Sequence, residues 1–123
     1  LIGGFLNVGS VAEKALEIAE REGIGISLVL SGMKGIFSLE DFICAGATAE
    51  RFPEEKVDFS DAAVASLLTF KRTRNNLCEN VMKGEQAKCL MNLGFKRDIE
   101  FSCQLDLFPI VPIYKEGIIN LPK

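Results

Sequence analysis

Two kinds of apolar run alternate along the first part of the chain. Leu1-Ile2-Gly3-Gly4-Phe5-Leu6 reads as a strand, followed by a turn through Asn7-Val8-Gly9. A helix is predicted from Ser10, because Ser10 and Glu13 have the S-x-x-E spacing of a capping box. Its stripe runs through Val11, Ala15, Ile18 and Ala19, turns polar at Glu22 and stops at Gly23. The next run, Ile24-Gly25-Ile26-Ser27-Leu28-Val29-Leu30, is nearly all apolar and β-rich. Such a run needs cover on both faces, as a central parallel strand does. Strand, helix and strand at this spacing predict a right-handed βαβ unit. The loop Ser31–Phe37 then lies at the carboxyl end of a strand, where open α/β sheets bind ligands.

The second part is helical by period. A helix is expected from Ser38 through Leu39, Phe42, Ile43, Ala45, Ala47 and Ala49, closed by Pro53. Glu54–Phe59 is a polar connection. Ser60 caps a predicted long helix bearing Ala63, Leu67, Leu68, Leu77 and Val81. Gly84 interrupts, a short helix through Ala87, Leu90 and Met91 ends at Gly94, and Lys96–Leu105 is again helical by period. Ile110–Tyr114 reads as a strand, with Pro112 arguing for an edge or an end. Lys115-Glu116-Gly117 turns the chain into Ile118-Ile119. The expected fold class is α/β, with helices layered on a mostly parallel or mixed sheet, as one domain over residues 1–123. A strand at the first residue predicts a chain cut inside a larger protein.

Composition narrows the function classes. With 48% apolar and 25% charged residues, the chain is neither a disordered tail nor a disulfide scaffold. Fourteen basic against seventeen acidic side chains leave a net charge of −3, which argues against a nucleic-acid partner. The chain has no histidine, so the commonest general base and zinc ligand are missing. Cys44, Cys78, Cys89 and Cys103 fit no C-x-x-C motif and read as reduced thiols in a cytoplasmic protein. No apolar stretch is long enough to span a membrane.

Three constellations could carry chemistry. Gly4-x-x-x-x-Gly9-Ser10 has phosphate-loop spacing but lacks the lysine before Ser10. The segment from Lys34 and Gly35 to Ser38, Glu40 and Asp41 is richer. The lysine can pair with an anion, and two carboxylates can hold a hard divalent cation through oxygen. The competing reading is local: Ser38-x-x-Asp41 is also a cap pattern, and acids favour a helix N-terminus. Asp58, Asp61 and Asp106 have weaker claims, and Lys71-Arg72-Arg74 reads as a solvated helix face. Without histidine or a Ser/Cys base pair, carboxylate-held metal and water offer the natural hydrolytic route.

Larger matching blocks come in a recognisable order. They are Gly4-Phe5-Leu6-Asn7, the block from Gly35 through Phe37-Ser38-Leu39-Glu40-Asp41-Phe42 to Cys44-Ala45-Gly46-Ala47, Ser60-Asp61-Ala62-Ala63, Leu93-Gly94-Phe95, and Cys103 to Pro112 with Asp106-Leu107-Phe108-Pro109. In these the chain resembles the 2-phosphosulfolactate phosphatases, magnesium-dependent hydrolases of coenzyme M biosynthesis. The resemblance implies the C-terminal half of a chain about twice as long. It also implies Mg²⁺ as cofactor and a small anionic phosphorylated substrate, and it admits a homodimer. By carry-over, Glu40 and Asp41 are the expected catalytic and metal-binding residues, and Lys34, Gly35 and Ser38 the substrate-binding ones. The chain departs from the family at Met33-Lys34, where an arginine or another polar residue is expected, and at Lys83-Gly84, where a His-Gly pair is common. Lys34 lacks arginine's bidentate fork. Two alternatives stand beside this reading: a non-catalytic structural or dimerising half, and a phosphatase for other small 2-phospho acids.

Overall fold

A computed structural model describes residues 1–121. The first helix, α1, spans Val8–Glu22 and follows directly on a 3-10 turn at Phe5–Asn7. It therefore starts ahead of Ser10, which lies inside its first turn, and the predicted capping box does not form. Asn7 organises this entry instead. Its Oδ1 accepts the Gly4 N–H at 2.8 Å, and its amide donates to the carbonyls of Ile2 at 3.3 Å and Ile110 at 3.1 Å. One buried side chain thus ties the N-terminal segment to the stretch that precedes the C-terminal strands. At the other end Gly23 adopts φ 66°, and its N–H returns to the Ala19 carbonyl, as a glycine C-cap should.

Helices α2 (Leu39–Ala49) and α3 (Asp61–Thr73) form the central pair. The Ser60 hydroxyl accepts the Ala63 N–H, so the predicted cap of α3 is present. Their contact depends on Gly46. A Cβ built there would fall 2.0 Å from the carbonyl oxygen of Ser66 and 2.8 Å from Cβ of Phe70. The two backbones approach more closely than any side chain allows.

The long helix expected to run on to Val81 breaks at a 3-10 turn over Arg74–Asn76 and resumes as α4, Leu77–Val81. Asparagine is a weak helix former whose side chain competes for backbone groups, and the Asn80 amide donates to the Asn76 carbonyl at 2.9 Å. Helices α5 (Glu85–Asn92) and α6 (Lys96–Ser102) follow, separated by Gly94 at φ 88°. Phe5, Val8, Ile43, Ala47, Phe70, Leu77, Val81, Ala87 and Ile99 form the buried core.

The sheet differs from expectation. Among the described residues the only strands are β1 (Ile113–Lys115) and β2 (Ile118–Asn120), an antiparallel hairpin in which Tyr114 faces Ile119. Glu116 at φ 52° and Gly117 at φ 82° make its two-residue turn with both central φ values positive. The expected parallel sheet and βαβ unit are not shown among the described residues. Residues 1–4 lie outside any strand and make one cross-chain backbone bond, from the Ile2 N–H to the Pro112 carbonyl at 2.8 Å. Residues 24–30 are also outside any strand. The physical reason is pairing: β propensity makes a run extended, but a strand needs a hydrogen-bonded neighbour.

Candidate functional site

The first turn of α2 places Glu40 and Asp41 beside the N-terminal segment. Together with Gly3, Gly4, Asn7 and Cys44 they line a cavity of about 430 Å³. Glu40 Oε2 is buried with no hydrogen-bond partner among the described residues. Asp41 Oδ2 accepts the Gly32 N–H at 2.7 Å. That bond takes Asp41 out of a local cap: the Ser38 side chain makes no capping bond, although its carbonyl accepts the Phe42 N–H at 3.2 Å. The cap pattern read from Ser38-x-x-Asp41 is therefore not what these side chains do.

The Asp41–Gly32 bond connects the helix to the lysine loop. Met33 and Ile36 exchange two backbone bonds of 3.1 and 2.8 Å, closing a tight turn with Lys34 at φ 50° and Gly35 at φ 78°. A lysine in the left-handed region is uncommon. Gly32 cannot be replaced cheaply, since a Cβ there would lie 2.7 Å from the Ile36 carbonyl oxygen. Lys34 and Gly35 are exposed in this turn and Ser38 is buried behind it. None of the three lines the Glu40–Asp41 cavity. The structure thus brings Glu40 and Asp41 together and holds Lys34 on an adjoining turn.

Among the described residues no three His, Cys, Asp or Glu side chains converge as a metal cage. The chain offers two carboxylates, one of them with a buried oxygen that has no hydrogen-bond partner among the described residues. Mg²⁺ typically takes one or two carboxylates and keeps waters or substrate phosphate oxygens in its other positions. The donor set is compatible with that partial role.

Two residues with weaker sequence claims also bear on the site. Gly84 is buried, and a Cβ there would lie 3.6 Å from Glu40 Oε2 and 3.2 Å from the Val81 carbonyl oxygen. Its absent side chain leaves room beside the carboxylate. Its sequence signals are the interruption of the helical pattern and the Lys83-Gly84 pair, where the family commonly has His-Gly. Asp106, at φ 55°, is a junction: its carboxylate accepts the Gly9 N–H and pairs with Arg51. The Gly4–Ser10 loop thus has one of its free N–H groups already engaged by this chain's own carboxylate. Lys71 pairs with Glu54 and Arg74 with Glu50, as a solvated face would.

Cys44 borders the same cavity, and burial first, then the Asp41 charge, pushes its thiol from 9.0 up to about 12. It remains a thiol at neutral pH and is no nucleophile. Cys103 is likewise pushed up to about 12, by burial first and then by contact with Cys78. Alkylation near about pH 8 should therefore label exposed Cys89 first and reach Cys44 only on unfolding, as read by mass spectrometry. Equal labelling of Cys44 and Cys89 in the native state would contradict this environment. The raised thiol pKa values also fix a sign. Their stabilising effect is complete below pH 9.0 and is lost as pH climbs from there towards about 12, so the thermal midpoint should fall across that alkaline window.

The family model described as 2-phosphosulpholactate phosphatase matches residues 1–117. The chain belongs to that family. A probable 2-phosphosulfolactate phosphatase of Thermotoga petrophila is 36% identical over all of this chain and 51% of its own length. One of Clostridium acetobutylicum is 34% identical over 97% of this chain and 49% of its own length. A 2-phosphosulfolactate phosphatase of Methanothermobacter thermautotrophicus is 29% identical over 98% of this chain and 50% of its own length. The chain spans about half the length of the 2-phosphosulfolactate phosphatases it matches.

Proposed function

We propose that the protein carrying this chain hydrolyses the phosphate monoester of 2-phosphosulfolactate, giving sulfolactate and phosphate. The observation that carries this reading is the family match over residues 1–117. The unpaired Glu40 oxygen beside Asp41 supports placing the chemistry at the first turn of α2. In this reading Glu40 and Asp41 hold Mg²⁺, which when bound neutralises charge on the transferring phosphate. Asp41, oriented by Gly32, sets the position of the Lys34 turn. Lys34 supplies a mobile point charge to the sulfonate or phosphate, and Gly35 and the Ser38 backbone shape that side of the site. The same reading puts the protein in the cytoplasm, in coenzyme M biosynthesis, with these helices layered on a mostly parallel or mixed sheet.

The test is phosphate release by the full-length protein from 2-phosphosulfolactate and from 2-phospho acids without the sulfonate. The sulfonate substrate should turn over fastest, activity should vanish with a chelator, and added Mg²⁺ should restore it. Equal turnover of acids lacking the sulfonate would replace the substrate assignment with a broader one. No release from any of them would overturn the reading.

A further inference from the structure

Residues 24–30 form an exposed apolar segment held at both ends. One end is fixed by the Ile24 N–H bonding the Ala19 carbonyl at 3.1 Å, and beyond the other the Gly32 N–H bonds Asp41. Between them, residues 25–31 make no backbone hydrogen bond among the described residues. The segment runs along a cavity of about 720 Å³ bounded by Leu16, Ala19, Phe42, Ala45, Phe52 and Ala63. Val29 is 89% exposed, with Ile24 at 55% and Leu28 at 39%.

This is not how a natural sheet edge looks. Edge strands are blunted by lysine, proline or a bulge, because open N–H and C=O groups invite pairing. Ile24–Leu30 contains no charge and no proline. A segment apolar on both faces with both edges open has the character of an interior strand. Its backbone groups need hydrogen-bond partners once water is excluded. The relatives supply the scale of what would do this, since this chain accounts for only 49–51% of their length.

We propose that residues 24–30 pair edge to edge with a β-strand from the part of the family's length that this chain does not span. The same part covers Val29 and closes the adjoining cavity. The proposal rests on family membership and does not depend on the phosphatase reading.

The experiment co-expresses this chain with the non-matching half of the Thermotoga petrophila relative and reads association and amide exchange, with no activity assay involved. The two should co-purify, and the amides of residues 25–31 should exchange at least about 100-fold more slowly than in this chain alone. Val29→Asp should leave the helical signal and melting of the chain alone unchanged, because Val29 touches water there. It should weaken the association at least about 10-fold, since an unpaired carboxylate would then be buried. Failure to associate overturns the proposal. So does association that leaves 25–31 unprotected or is indifferent to Val29→Asp. Protection that arises in the chain alone and grows with its concentration also overturns it, by making a second copy the occupant.

Discussion

Gly46→Ala should destabilise the described chain by at least about 3 kcal/mol, at the upper end of what overpacked cores show. The added methyl would fall 2.0 Å from the Ser66 carbonyl oxygen and 2.6 Å from its carbon, both backbone atoms. No rotamer change relieves such a contact, so α2 and α3 must separate. That separation disturbs Ile43, Ala47 and Phe70, all part of the buried core. It also disturbs Ser66, whose hydroxyl donates to the Ala63 carbonyl at 2.8 Å. A domain holds only about 5–15 kcal/mol in total, so the variant should unfold at much lower denaturant or express poorly. Gly84→Ala is the informative control. Its nearest obstacle is 3.2 Å away, and alanine suits its φ of −66°, so the expected cost is below about 1 kcal/mol. Urea unfolding of the two variants measures the contrast. A Gly46→Ala midpoint equal to that of Gly84→Ala would mean that the helix pair is not held at the described distance.

The helices were legible because their signals are local. Gly23 and Gly94 end helices where a left-handed residue is needed, and Ser60 caps α3 where the pattern placed it. What failed depends on partners distant in sequence. Ser10-x-x-Glu13 is a sound capping box locally, yet Asn7 engages Gly4, Ile2 and Ile110 and starts the helix earlier. Ser38-x-x-Asp41 failed the same way, because the Gly32 amide takes the Asp41 carboxylate. The run at 24–30 is apolar as the pattern predicts but is not the expected strand, because strand status depends on a neighbour that no periodicity specifies. At the candidate site the residue types of Glu40, Asp41 and Lys34 drew notice through composition and spacing. The separation of Lys34 from the Glu40–Asp41 cavity, and the space left by Gly84, follow from turn geometry and long-range packing.

Glu40→Gln in the full-length protein should lower phosphate release at least about 100-fold while leaving the fold intact. A buried acceptor without a donor ordinarily costs about 1–3 kcal/mol, and Glu40 Oε2 is in that position. A residue kept only for structure would gain from a substitution that removes the charge at equal shape. Glu40→Gln should therefore be neutral or mildly stabilising in thermal unfolding while activity falls, a combination that a packing role does not produce. Asp41→Asn separates the two carboxylates. Asparagine retains an oxygen that can accept the Gly32 N–H, so the Lys34 turn should stay in place while the negative charge is lost. Its activity should fall comparably, and raising Mg²⁺ should recover part of it if weakened metal binding is the cause. Near-normal turnover in both variants would remove the first turn of α2 from the chemistry. Loss of activity matched by loss of folding in both would reduce Glu40 and Asp41 to structural anchors for the loop at Gly32.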